Sequence, residues 1–283
     1  MKYAIIDIGS NSVRMLINED GASVFKETKI TKLAKDMIGC CLDLSSIERT
    51  FNAIAYFVDK AHSHSVDKIS CFATAAMRKA KNAYLLTDKV KRVYALDVDI
   101  ITGEEEAYLG ALGALDGFDG GVIDIGGASS EIAVITNGKL SYSYSLPIGA
   151  VSLTNKFSQD YEKSYEFLFD KVKEYKDVVY QRFFAIGGTA TSIAAIEQQL
   201  HPYDSTKTHG YVIQKENLVV LVNKLFNTPV KERALLKGLQ PERADVIAQG
   251  SLILLMIMDY LKLDHVTVSE KDNLDGYFLE KTR

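Results

Sequence analysis

The sequence predicts an α/β protein of two similarly built domains, residues 1–118 and 119–283, facing each other across a cleft. Three observations carry this. The 283 residues are 47% apolar, enough for two cores in domains of roughly 100–200 residues each. A strand–Asp–Gly–strand pattern occurs twice: Ala4-Ile5-Ile6-Asp7-Ile8-Gly9-Ser10-Asn11-Ser12 runs into residues 13–17, and Gly121-Val122-Ile123-Asp124-Ile125-Gly126-Gly127-Ala128-Ser129 runs into residues 130–134. The order of elements after each copy then repeats, with insertions in the second half.

Each copy reads as two β-type runs joined by a tight turn of Gly and small polar residues. After the first hairpin the sequence predicts a strand near 23–30 and an amphipathic helix over about 46–64, where Phe51, Ile54, Ala55 and Val58 recur at helical spacing. A strand near 69–73, a helix around 82–92, a strand over 98–101 and a helix opening at Gly103 complete βββαβαβα. After the second hairpin come a strand near 140–146, helical segments between 150 and 175, and a strand over 183–186 turning through Gly187-Gly188 into a helix. A long helix is expected over about 241–260, with Pro241 at the first helical position, where its missing N–H is tolerated. A last strand over 265–268 precedes a terminal helix that is free to pack back on the first domain.

Composition narrows the function. The longest apolar run, 252–258, is far short of the ~20 residues that span a bilayer, and Met1-Lys2 leads straight into a strand-like run instead of a signal peptide. Three cysteines, with Cys40 and Cys41 adjacent, offer neither a paired framework nor zinc spacing. A soluble cytoplasmic protein is expected. The net charge of −4 and pI near 5.8 set the overall field against nucleic acid, so no DNA partner is expected and any polyanion site must be built locally.

The two hairpins suit phosphate chemistry. Gly9 and Gly126-Gly127 let the backbone approach a ligand, turn N–H groups can point at phosphate oxygens, and Ser10, Ser12 and Ser129 add hydroxyl donors. Asp7 and Asp124, from opposite domains, together suit a hydrated Mg²⁺ ion. An Asp–Gly turn is common on its own; it is the pair that points to a site. Gly187-Gly188-Thr189 opens a helix after a strand, which is anion-binding geometry but also an ordinary capped turn. Glu104, Glu105 and Glu106 open another helix at a strand end, where acids complement the helix dipole and where one can instead activate water. Arg78 and Arg243 stand at positions suited to gripping phosphate, or are plain surface arginines.

Read together, Ile6-Asp7-Ile8-Gly9-Ser10-Asn11-Ser12-Val13-Arg14 resembles the opening signature of the exopolyphosphatase and guanosine pentaphosphate phosphohydrolase family. In the same order, Ala73-Thr74-Ala75-Ala76-Met77-Arg78 resembles its Thr-Ser-Ala-x-Arg segment, and Thr102-Gly103-Glu104-Glu105-Glu106-Ala107 its Gly-x-Glu-Glu-Ala segment. Asp124-Ile125-Gly126-Gly127-Ala128-Ser129-Ser130-Glu131 resembles its Asp-Ile-Gly-Gly-Gly-Ser-Thr-Glu. The likeness implies two ribonuclease-H-like domains of the actin, sugar kinase and heat-shock ATPase superfamily flanking a cleft. It implies Glu106 as catalytic base with Glu105 as fallback, and Glu131 as an acid near metal and water. Phosphate and metal contacts carry over to Asp7, Ser10, Asn11, Arg14, Arg78, Asp124, Gly126, Gly127, Ser129 and Gly187 to Thr189. It also makes a homodimer an expectation.

This sequence departs from the pattern at three places. Ala128 stands where the family has a third Gly, Ser130 replaces Thr, and Asp272-Asn273-Leu274-Asp275-Gly276 replaces Gly-Leu-Arg-Glu-Gly, losing an Arg that suits phosphate. The expected function is Mg²⁺-assisted release of terminal orthophosphate from inorganic polyphosphate, or from guanosine pentaphosphate. Two other readings stay open: a kinase of the same superfamily, which needs an acceptor hydroxyl, and a non-catalytic alarmone-binding regulator.

Overall fold

The computed structural model describes residues 1–176, 178, 180 and 182–282. The first half forms β1 (Lys2–Ile8), β2 (Ser12–Glu19) and β3 (Ala22–Ile30), then α1 (Leu44–Ser63), β4 (Lys68–Ala73), α2 (Ala75–Lys79), α3 (Tyr84–Tyr94), β5 (Val98–Ile100) and α4 (Gly103–Leu115). The second half continues with β6 (Gly120–Ile125), β7 (Ser130–Thr136), β8 (Lys139–Leu146), α5 (Ala150–Phe157), α6 (Tyr161–Lys171), β9 (Phe183–Ile186) and α7 (Gly187–Glu197). It closes with α8 (Ser205–Thr208), β10 (Val212–Gln214), α9 (Lys215–Asn227), α10 (Val230–Arg233), α11 (Ile247–Tyr260), β11 (His265–Val268) and α12 (Asn273–Thr282).

The two sheets have the same plan. The first runs β3-β2-β1-β4-β5 and the second β10-β11-β9-β6-β7-β8, so β8, β7, β6, β9 and β11 repeat the first sheet and β10 is an added edge. In each, an antiparallel meander meets parallel strands beside its first member: β1 with β2 and β4, β6 with β7 and β9. This is the ribonuclease-H-like arrangement, present twice. Among the described residues no helix is long and apolar enough to cross a membrane.

Period-two alternation decides what each strand face meets. On β1, Ala4, Ile6 and Ile8 enter the first core with α1 residues such as Ile54 and Phe57, while Ile5 faces the other way. There Ile5, Leu16 of β2 and Phe72 of β4 pack with Leu109 of α4 and with Leu274 and Tyr277 of α12. The Phe72 and Tyr277 rings stack at 4.6 Å between centroids. The terminal helix therefore lies on the first sheet. The two helices meet through glycine: a Cβ on Gly276 would sit 1.8 Å from the Leu109 carbonyl oxygen, and one on Gly113 would sit 2.1 Å from that of Asp272. Helix α4 also presents Ala107, Ala111 and Ala114 to Val122, Ala133 and Ile135 of the second sheet. Its small residues let one helix serve both sheets.

Helix α11 is buried over Ile247–Met258, as an all-round apolar helix must be. The long helix expected from Pro241 is broken. Pro241–Arg243 forms a 3₁₀ turn and the α-helix starts at Ile247. The carbonyls that would continue the helix are taken by distant side chains: Arg233 Nη1 donates to Ala244 O at 3.2 Å and Gln159 Nε2 to Asp245 O at 3.0 Å.

Candidate functional site

The two hairpin turns are closed by the same hydrogen bond. Gly9 N donates to Ser12 O at 2.9 Å and Gly126 N to Ser129 O at 3.0 Å. They touch each other, since a Cβ on Gly127 would lie 2.8 Å from Ser10 Cβ. Beside them β9 turns into α7 through Gly187, at φ +81°, and a Cβ there would meet Asp124 Oδ1 at 2.5 Å. These three turns wall a cleft of about 670 Å³ between the sheets.

Of the residues singled out in the sequence, Asp7, Ser10, Asn11, Ser12, Arg14, Glu106, Asp124, Gly126, Gly127, Ser129, Gly187, Gly188, Thr189 and Arg243 line this cleft. Arg78, Glu105 and Glu131 do not. Glu105 is spent on the start of α4: its carboxylate accepts the Thr102 N–H at 2.7 Å while Thr102 Oγ1 accepts the Glu105 N–H at 3.1 Å, a capping box. The fallback base is thereby set aside. Arg78 stands behind Glu106, donating to its Oε2 from both Nη atoms at 3.2 Å and to Ile101 O at 2.6 Å.

Strand register places the carboxylates. Asp7 lies opposite Arg14 on the β1–β2 pair, whereas Asp124 lies opposite Glu131 on the β6–β7 pair. Helix α4 brings the buried Glu106 to the same region. Burial pushes the Glu106 carboxyl up to about 7, with Arg78 pulling down and Asp124 and Asp7 pushing up. Burial likewise pushes Asp124 up to about 6. Glu131, fully buried beside both, is raised well above the usual carboxylate range by burial and by Glu106 and Asp124; like charges opposite one another on a sheet repel. Its Oε1 accepts from Ser145 Oγ at 2.6 Å.

Several buried polar atoms on the cleft wall lack a hydrogen-bond partner among the described residues: Asp7 Oδ1 and both side-chain polar atoms of Asn11. Buried polar groups are ordinarily satisfied, so these atoms are candidates for contact with a ligand or ion. Asp7 Oδ1 and the Asp124 carboxylate suit a magnesium ion, which keeps several waters and uses one or two carboxylates. Among the described residues no group of three or more His, Cys, Asp or Glu side chains forms a closed metal cage.

Two of the three sequence departures take a new meaning. Ala128 has no positive φ and is 4% exposed outside the cleft lining, so its Cβ obstructs nothing. Position 274, where the family pattern has Arg, is a core position: Leu274 is fully buried in the seam under the first sheet, not aimed at phosphate. The neighbouring Asp272 is what reaches the cleft, and sequence reasoning missed it together with Lys26. Arg14 is clamped, Nε and Nη2 to Asp7 Oδ2 at 2.9 and 2.5 Å and Nη1 to Asp272 Oδ2 at 2.6 Å. Burial opposes its charge, but Asp272 and Asp7 hold it protonated. Arg243, over Gly188, is lowered to about 10 by burial and remains a cation at neutral pH.

Fold and site together define a two-lobed α/β protein whose cleft is walled by three glycine-containing turns and by buried carboxylates. Residues 16–282 match the Ppx/GppA phosphatase family. The chain is 32% identical to a bifunctional 3-dehydroquinate synthase/phosphatase of Fusobacterium nucleatum over 98% of its length and 46% of that protein. It is 29% identical to exopolyphosphatase 2 of Mycobacterium tuberculosis over 98% of both. It is 26% identical to a guanosine-5'-triphosphate,3'-diphosphate pyrophosphatase of Photobacterium profundum over 94% of the chain and 56% of that protein. The chain thus spans about half the length of the Fusobacterium and Photobacterium relatives. The crystal structure of an Aquifex aeolicus Ppx/GppA family member superposes with a TM-score of 0.83 at 30% identity, covering all of this chain and 97% of that one. The chain belongs to the Ppx/GppA phosphatase family.

Proposed function

We propose that this protein hydrolyses phosphoanhydride bonds, releasing terminal orthophosphate from inorganic polyphosphate, with guanosine pentaphosphate as the second candidate substrate. The observation that carries this is Glu106. It is a buried carboxylate on the cleft, oriented by Arg78 and raised to about 7, so that it can accept a proton near neutrality and hold it. A kinase would use such a base on an acceptor alcohol, so the hydrolase reading is the one in which Glu106 acts on water.

In this reading the two turns bind and orient the terminal phosphates through backbone N–H groups and the Ser10, Asn11 and Ser129 side chains. Glu106 takes the proton of the attacking water, and Arg78 sets the ionisation of that base. Seven carboxylates line the cleft against four basic side chains, Arg14, Lys26, Arg243 and Lys271. A bare polyanion is repelled by that balance. A divalent cation, magnesium being our choice, held by Asp7 and Asp124 would neutralise the phosphates. We further propose a cytoplasmic homodimer, divided into units 1–118 and 119–283; the family resemblance supports the dimer.

The test is phosphate release from long polyphosphate, short polyphosphate and guanosine pentaphosphate, with Mg²⁺ and with chelator. Metal-dependent release from at least one supports the reading. Absence of release from all three overturns it.

A further inference from the structure

Segment 270–275 enters the cleft between the last strand and α12 and sets three oxygen groups against Lys26. Lys26 Nζ donates to Glu270 O at 2.5 Å, to Asp272 Oδ2 at 3.2 Å and to Asp275 Oδ2 at 3.2 Å. The same Asp272 oxygen takes Arg14 Nη1 at 2.6 Å. Asp272 is 5% exposed, and its position is fixed from behind: its carbonyl abuts Gly113 of α4, and its Oδ1 caps α12 by accepting Leu274 N–H at 2.9 Å.

We propose that Asp272 is an internal counter-anion of the cleft, paired with Arg14 and Lys26 so that a substrate phosphate must compete with it for the charge of these two cations. Asp272 thereby sets how tightly the site holds a polyanion. The inference rests on the phosphate-hydrolysing reading of the same cleft. Arg14 and Lys26 both line the cleft on the first sheet's wall, where a phosphate held by the first turn would seek them. Asp7 and Asp272 already engage all three nitrogens of Arg14 and offset its charge, leaving only the second N–H of each Nη for another acceptor. Lys26, at the cleft wall, directs its Nζ to the oxygens of 270–275. A cleft that meets its substrate with its own cations already paired favours phosphate arriving with its charge neutralised by metal, and disfavours bare extended polyanion. Asp272 is a positioning residue: it acts through Arg14 and Lys26.

Asp272→Asn removes the charge and keeps an oxygen to cap α12. The probe is tripolyphosphate, with binding measured by calorimetry at several salt concentrations and melting temperature checked in parallel. Binding should tighten by roughly tenfold as one anion beside two poorly screened cations is removed, and its salt dependence should steepen. For hydrolysis of polyphosphate, KM should fall by more than kcat changes. The gain should shrink when Lys26→Gln is already present. Asp275→Asn, which relieves Lys26 alone, should tighten binding less but in the same direction, and serves if Asp272→Asn does not fold. Unchanged or weaker binding in the folded variants overturns the proposal. Tighter binding in a protein that hydrolyses none of the three substrates supports the counter-anion and overturns the hydrolase reading; hydrolysis without tightening does the reverse.

Discussion

Replacing Arg78 by Gln separates two roles that the sequence left together. If Arg78 grips phosphate, its loss raises KM at every pH. Its guanidinium instead touches Glu106 at 3.2 Å and the Ile101 carbonyl, outside the cleft lining, so the loss should fall on the base. Glu106 stands at about 7, the balance of burial pushing up and Arg78 pulling down. An adjacent guanidinium usually lowers a carboxyl by about one to three pH units. The Arg78 side chain is 27% exposed, which favours the low end of that range. A rise of about one pH unit takes the ionised share at pH 7 from about one half to about one tenth, a loss of roughly fivefold in kcat/KM that fades above about pH 9. The assay is kcat/KM for polyphosphate from pH 5.5 to 9.5 in wild type and Arg78→Gln. A midpoint that moves upward with KM little altered agrees with the reasoning. An unmoved midpoint with KM raised throughout refutes it and returns Arg78 to the phosphate.

Two further outcomes follow from buried groups on the same wall. Glu106 has an ordinary value of 4.5 and stands at about 7 in the fold; between these the native chain keeps a proton that the unfolded chain has lost. The cost of the ionised buried carboxylate is incurred as pH rises through 7, so Glu106→Gln should stabilise the protein at pH 8 by on the order of 1–3 kcal/mol and have little effect near pH 4. Thermal melts at the two pH values check this, and a difference independent of pH contradicts it. Asn11→Ala removes two buried polar atoms without a partner among the described residues. It should raise KM by roughly tenfold while leaving the melting temperature unchanged or higher; a lowered melting temperature with KM unchanged would make Asn11 a structural residue.

Most of the fold was legible because its signals are local. The apolar runs around Asp7 and Asp124 and the glycines after them specify two hairpins, and their likeness specifies the repeated sheet. What was missed depends on long-range contact. Strand β10 has three residues, too few to show alternation, and exists through pairing with β11. The interruption before α11 comes from Arg233 and Gln159 reaching carbonyls 11 and 86 residues away. The choice between Glu105 and Glu106 was available in the sequence, because Thr102-x-x-Glu105 is the capping-box pattern and a capping Glu is not free to act as a base. Asp272 was visible only as a departure from a familiar motif. Its role needed Arg14, 258 residues earlier, to be seen beside it.

The central claim is that Glu106 activates water against a phosphate held by the two turns. The most direct measurement is orthophosphate release from long polyphosphate, short polyphosphate and guanosine pentaphosphate by wild type and Glu106→Gln, each with Mg²⁺ and with chelator, alongside tripolyphosphate binding by both proteins. The account predicts metal-dependent release by wild type, lost in Glu106→Gln although the variant still binds tripolyphosphate. Full activity in Glu106→Gln would contradict it.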